Sequence, residues 1–272
     1  MNDWHRNQQP VNEDGYTTDL IAIEVVHLIA GYRDDPRSER GKKPFFIYVP
    51  FNAVHGPLEE IPRYVEKHGK RYDALKCMDD AVGRIVGALD QDGYGENTLV
   101  IFSNDNGGLR EEMNAPYRGT KNTKYEGGVR VPCVMRWPGR FKPGSKHAGL
   151  MHITDLFPTF VSIAGAEKEQ ERPLDGMDMT SSMLNGTASP RDEIVLEVSG
   201  SVRFPAIMRG NYKLIGEELY DIAAVPSEKN DIADDKPEIA ADLKERVTAY
   251  GKERKPLGDL PLLMTPALPW VY

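Results

Sequence analysis

The run Thr98-Leu99-Val100-Ile101-Phe102-Ser103 carries no charge and stops abruptly at Asn104-Asp105-Asn106-Gly107-Gly108. An apolar run of this length fits a strand buried on both faces, and such burial demands that other elements cover it. Two further runs share the character: Phe45-Phe46-Ile47-Tyr48-Val49, closed by Pro50, and Val131-Pro132-Cys133-Val134-Met135-Arg136-Trp137, closed by Pro138-Gly139. Around them apolar positions recur at helical spacing. Residues 17 to 31 open on capping residues and end in Gly31, and 73 to 90 carry Leu75, Met78, Val82, Ile85, Val86 and Leu89. A third helix is expected over 155 to 165. Strands alternating with helices predict an α/β fold, a parallel-rich sheet flanked by helices.

The texture changes after residue 166. Residues 167 to 192 are rich in charge, Gly, Pro and Ser and read as a loop or linker. Three β-type runs then follow closely, at 193 to 198, 205 to 208 and 212 to 219, which predicts a small antiparallel sheet. Residues 237 to 250 read as a helix with Pro237 at its start and Gly251 at its end. The Pro- and Leu-rich tail, 256 to 272, reads as an extended packed arm. The expected domains are therefore an α/β core at 1–166, the linker at 167–192, and a C-terminal sheet, helix and tail at 193–272.

Bulk properties exclude some partners. A chain of 272 residues with a net charge of −8 is a poor match for nucleic acid or an anionic membrane surface. No window approaches the roughly 20 apolar residues of a membrane helix. The amino terminus, Met1-Asn2-Asp3-Trp4-His5-Arg6-Asn7, has no apolar h-region, so a cytoplasmic product is expected, with export left open for a longer parent. Cys77 and Cys133 are too few for a disulfide framework and read as buried thiols.

Ligands gather at the carboxyl ends of strands in open α/β sheets. Asp105 and Asn106 sit at such an end and offer hard oxygen ligands to a divalent cation. The same Asn-Asp-Asn-Gly-Gly stretch is also a good turn. The segment from Asp105 to Arg130 is long, polar and punctuated by glycine, a pattern typical of functional loops. Within it Lys121 could face an anion, or be merely solvated. His55 follows the run 45–49 and could donate to a substrate oxygen or act as an acid, or be a structural hydrogen-bonder.

His55-Gly56-Pro57-Leu58, Phe102-Ser103-Asn104-Asp105-Asn106-Gly107-Gly108, Arg118-Gly119-Thr120-Lys121 and Glu126-Gly127-Gly128-Val129-Arg130-Val131-Pro132 together resemble successive signatures of formylglycine-dependent sulfatases of the alkaline-phosphatase superfamily, in that family's order. Residues 14–20, His152-Ile153-Thr154-Asp155-Leu156-Phe157-Pro158-Thr159, Asn211-Tyr212-Lys213-Leu214 and Glu218-Leu219-Tyr220-Asp221 extend the likeness over almost the whole chain. The resemblance implies a truncated alkaline-phosphatase-like α/β fold. It implies metal ligation by Asp105 and Asn106, and substrate binding and catalysis by His55 and Lys121, with His55 the acid for the leaving group. The metal it implies is Ca²⁺, with Mg²⁺, Mn²⁺ or Zn²⁺ as alternatives. Arg118 and Glu126 read as loop-shaping residues.

The family's nucleophile lies in Cys-x-Pro-x-Arg. Here Cys77 is followed by Met78-Asp79-Asp80-Ala81 and Cys133 by Val134-Met135-Arg136-Trp137, so no formylglycine is expected. The early Asp-Asp metal pair and its Lys and His companions have no counterpart before His55. The resulting expectation is a metal-dependent hydrolase of broad specificity that cleaves small anionic phosphate or sulfate esters through a metal-activated water. The alternative is an inactive remnant or half-enzyme that needs a complementing amino-terminal chain. A sheet missing its first half exposes an edge and apolar faces, which predicts a homodimer or higher oligomer.

Overall fold

The computed structural model of the protein describes residues 4–34, 44–64, 69–167, 172–197 and 205–253. They fall into two compact units, one of residues 4–98 with 137–139 and one of 99–136 with 140–253. The division thus falls after Thr98, well ahead of residue 166.

In the first unit a short hairpin, β1 (His5–Arg6) and β2 (Gln9–Pro10), precedes helix α1 (Thr17–Asp34). Thr18, Ala22, Val25 and Ile29 form its buried stripe at helical spacing. Helix α2 (Lys70–Gln91) packs on α1 and buries Ala74, Cys77, Ala81 and Ala88, whose short side chains let the two backbones approach. Asp19 on α1 accepts hydrogen bonds from Arg63 Nη2 at 2.8 Å and from Arg84 of α2, which ties the helices at one end. Both helices outrun their expected limits, α1 continuing past Gly31 and α2 beginning at Lys70.

Phe45–Val49 departs from expectation. It is extended but has no ladder partner among the described residues. Its side chains alternate between half-buried and exposed, with Phe46 72% and Tyr48 77% exposed, so only one face is covered. Tyr32 and Tyr94 supply that cover by meeting Phe45 edge-on, at ring-centroid distances of 5.3 and 5.7 Å. An apolar run states that burial is wanted and does not name the partner.

In the second unit β3 (Val100–Ser103) pairs with β4 (Cys133–Arg136), with Val100 opposite Arg136 and Ser103 opposite Cys133. The pairing is antiparallel, so the parallel-rich sheet is not found among the described residues. The reason lies in the connection: a long loop holding the single helical turn α3 (Glu126–Val129) returns the chain directly beside the strand it left. Cys133 is exposed rather than buried, and Val134 beside it is 65% exposed. Helix α4 (Leu156–Ile163) follows, and the expected linker contains α5 (Thr180–Asn185) and the fully buried Met179.

Asp155 explains why that segment packs. Its carboxylate accepts from Arg191 Nε at 2.8 Å and from the backbone N–H groups of His152 and Met177 at 2.7 and 2.8 Å. Burial works against its charge, yet the Arg191 guanidinium and these N–H groups outweigh burial and hold the carboxyl below the usual aspartate range.

The rest of the unit is a four-stranded antiparallel sheet of β5 (Glu193–Glu197), β6 (Ala206–Arg209), β7 (Tyr212–Ile215) and β8 (Glu218–Asp221), in that order. The expected single run at 212–219 is two strands, because Gly216 at φ +64° opens a tight turn. Period-two alternation sends Ala206, Met208, Ile215 and Tyr220 to one face, where Tyr125 and Leu150 pack. Ile207, Leu214 and Leu219 point to the other face, onto Leu243 and Val247 of α6 (Pro237–Glu253). Helix α6 runs beyond Gly251. The tail at 256–272 lies outside the described residues.

Candidate active site

The loop that leaves β3 is pinned from both sides. The Gly107 N–H donates to Gly128 O at 3.0 Å, and the two backbones are so close that a Cβ on Gly107 would lie 1.8 Å from Gly127 O. No side chain fits there, which is the physical demand behind the glycines on both segments. The Asn114 side chain clamps the interior: its Oδ1 accepts from Gly108 N at 2.7 Å, and its Nδ2 donates to Gly108 O and Gly119 O at 3.1 and 2.9 Å. Lys121 N donates to Gly108 O at 2.9 Å, so the strand end and the lysine share one small frame.

On that frame Asp105 is exposed and Asn106 half-buried. One Asp105 oxygen accepts from Asn106 N at 2.9 Å, and Asn106 Nδ2 donates to Gly107 O at 2.8 Å. Lys121 is half-buried on the same frame. Three of the four predicted site residues therefore lie on one pinned loop. His55 belongs to the other compact unit. There it is exposed, its N–H closes a turn on Asn52 O at 2.9 Å, and Nδ1 lies 2.7 Å from Gly56 O.

Asp105 and Asn106 suit a hard divalent cation in the type of their donor atoms but fall short of its six to eight oxygen ligands. Among the described residues no group of three or more His, Cys, Asp or Glu side chains is gathered closely enough to hold a metal ion. Any further ligands have to come from outside this pair.

Beneath the loop lies a set of buried charges. Lys213 on β7 and Glu228 are fully buried, and Glu126, the first residue of α3, is nearly so. Lys213 Nζ donates to Glu126 Oε1 at 2.8 Å and lies 2.9 Å from Glu228 Oε1. The latter approach satisfies ion-pair distance without hydrogen-bond alignment, since that oxygen has no hydrogen-bond partner. Glu228 Oε2 accepts from Glu126 N at 2.6 Å, and Glu126 Oε2 accepts from Arg130 Nε. The two acids are displaced in opposite directions. Burial opposes ionisation of Glu126, but Lys213 and Arg130 outweigh it and lower its pKa. At Glu228 burial outweighs Lys213 and the Glu126 N–H together, so its pKa is raised.

Arg118 stacks on Tyr125 at 3.9 Å from the ring centroid and donates to Glu228 O at 3.0 Å. Arg118 and Glu126 thus do shape the loop. Asn114, Lys213 and Glu228 were not anticipated. The one available signal was Lys213 standing in the strand run Tyr212–Ile215 at a position whose parity puts it on the face opposite α6.

Neither cysteine is a ready nucleophile in the first unit's packing or on β4. Cys77 is fully buried, accepts from Arg63 Nη2 at 3.0 Å, and burial pushes its thiol up to about 11. Cys133 is exposed, and partial desolvation by its neighbours raises the pKa of its thiol. Among the described residues no helix is long and apolar enough to cross a membrane.

The fold and the loop signatures are those of an alkaline-phosphatase-like hydrolase domain, and comparison with known proteins narrows the class. The sequence model of the Sulfatase family matches residues 2–166, and that of the N-sulphoglucosamine sulphohydrolase C-terminal region matches residues 120–253. The chain belongs to the sulfatase family. It is 35% identical over 190 residues to Arylsulfatase J of Mus musculus, a match that covers 66% of this chain and 31% of that protein. It is 29% identical over 269 residues to N-acetylgalactosamine-6-O-sulfatase of Bacteroides thetaiotaomicron, covering 86% of this chain and 50% of that one. A crystal structure of Ps i-CgsB in complex with k-i-k-neocarrahexaose superposes with a TM-score of 0.81 at 26% identity, covering 92% of this chain and 58% of the other. The chain therefore spans between about a third and a half of the length of these curated relatives.

Proposed function

We propose that the chain hydrolyses sulfate monoesters, with phosphate monoesters as secondary substrates. The observation that carries this reading is the pinned frame that holds Asp105, Asn106 and Lys121 together at the end of β3, in a chain of the sulfatase family. In the reaction a water oxygen bonds to sulfur, the bond from sulfur to the ester oxygen breaks, and the leaving oxygen takes up a proton. Lys121 steadies the negative charge of the sulfuryl oxygens, a task suited to a fixed ammonium group. Resemblance to the sulfatase family gives His55 the role of acid for the leaving oxygen. Asp105 and Asn106 would supply two of the oxygen ligands of a divalent cation, which would neutralise ester charge. The names of Arylsulfatase J and N-acetylgalactosamine-6-O-sulfatase support a sulfate ester on an aryl or sugar group.

The test is turnover of an aryl sulfate by the full chain, alongside calorimetric titration with Ca²⁺. Asp105→Ala is expected to lower kcat/KM by at least about 100-fold, and chelator to do the same reversibly. His55→Ala should lower kcat by about 100-fold, with a smaller loss on esters whose leaving group needs no proton. Turnover that survives both Asp105→Ala and chelation sinks the reading.

A further inference from the structure

The strained and buried parts of the second unit converge on one element. Glu228 has φ +47°, a region that residues other than glycine seldom occupy. That conformation aims its carboxylate at Lys213 Nζ and at the N–H of Glu126. Glu126 opens α3, and the next two residues, Gly127 and Gly128, are the surface on which Gly107 rests. Asp105 and Asn106 stand immediately before Gly107, and Lys121 is bonded to Gly108. A continuous line of contacts thus runs from Lys213 in the C-terminal sheet to the three site residues of the loop.

Stability alone is a weak reason to bury these charges, because replacing a buried ion pair with apolar groups of similar volume is often neutral or favourable. Ionic groups with fixed partners do supply direction. Lys213 can satisfy Glu126 at 2.8 Å and Glu228 at 2.9 Å only while α3 sits in one register against β7. An apolar side chain in its place would tolerate sliding.

We propose that Lys213, acting through Glu126 and Glu228, is a positioning residue that sets the register of α3 on the C-terminal sheet and so fixes the Asp105–Lys121 loop for reaction. This rests on reading that loop as the reactive site. Lys213 touches no reacting atom. Its effect is to hold Gly127 and Gly128 where Gly107 can lie against them.

Hydrogen exchange on the full chain tests the idea without relying on turnover. In Lys213→Met, the amides of Gly107, Lys121 and Gly127 should exchange at least about tenfold faster, while those of β6 and β8 stay within about twofold of the native protein. Glu228→Gln, which keeps the side chain's size, should act in the same direction to a lesser degree and carries the test if Lys213→Met does not fold. Unchanged exchange at the three loop amides overturns the proposal. So does a uniform rise across β6 to β8, the mark of a residue that only stabilises. Turnover of an aryl sulfate is measured in parallel. Selective loop exchange in a protein that never hydrolyses the ester leaves the positioning role standing and removes the functional reading. Native turnover with unaltered loop exchange in both variants does the reverse.

Discussion

The two sheets of the second unit are both antiparallel, yet one is finished and the other is not. Strands β5 to β8 bury both faces, one under Tyr125 and Leu150 and the other under α6, and Ala206, Ile207, Leu214 and Leu219 are essentially inaccessible. The pair β3–β4 leaves Val134 and Cys133 at the surface. Two strands alone are marginal in water, whereas four with a packed helix can stand by themselves. The candidate site grows from the unfinished pair. Its loop is held instead by Gly107 against α3, and α3 by Lys213 of the finished sheet. Rigidity at the site is thus borrowed from a sheet that carries no site residue.

The comparison can be broken experimentally, beginning with the change of largest expected effect. Asp155→Ala strands Arg191 among buried groups and should cost about 3–5 kcal/mol, read as a lower urea midpoint. The pH dependence has a definite sign. Because Asp155 has a depressed pKa when folded, its contribution is complete above the ordinary aspartate range and fades as pH falls through it towards the folded value. Asp155→Asn should therefore flatten the acid side of the stability profile, and a slope equal to that of the native protein would show that the pair carries no such linkage. Leu219→Ala, in the centre of the finished sheet, should cost about 3 kcal/mol through the cavity it leaves. Val134→Ser should change stability by less than about 0.5 kcal/mol and reduce binding of a hydrophobic dye. A Val134→Ser variant as unstable as Leu219→Ala would mean that β3–β4 is covered after all.

Much of this was legible in the sequence, for identifiable reasons. Helices α1, α2 and α6 follow from apolar spacing and from Pro237, because a helix needs only its own backbone to satisfy its hydrogen bonds. The C-terminal strands follow from alternation and close spacing. Strand partners were not legible. Phe45–Val49 and Val100–Ser103 look alike as strings, yet one pairs antiparallel and the other has no ladder among the described residues. Partner choice is settled by chain distant in sequence, and local composition does not encode it. In the site, the motif residues Asp105, Asn106 and Lys121 stood out as types at a strand end, and the loop between them was recognisably long. Lys213 and Glu228 did not stand out. A lysine in a strand is ordinarily read as facing solvent, and only the position of Glu126 on the opposing face reverses that reading.

The contact between Gly107 and Gly127 also limits how this domain can be altered. With 1.8 Å between a would-be methyl group and a carbonyl oxygen, substitution at that crossing has no graded version. A library meant to retune substrate preference should leave 107, 114, 127 and 128 untouched and diversify the outer stretch from Leu109 to Met113, where Leu109 and Met113 already face outward. Selection, natural or in the laboratory, has latitude at the rim of this loop and none at its hinge.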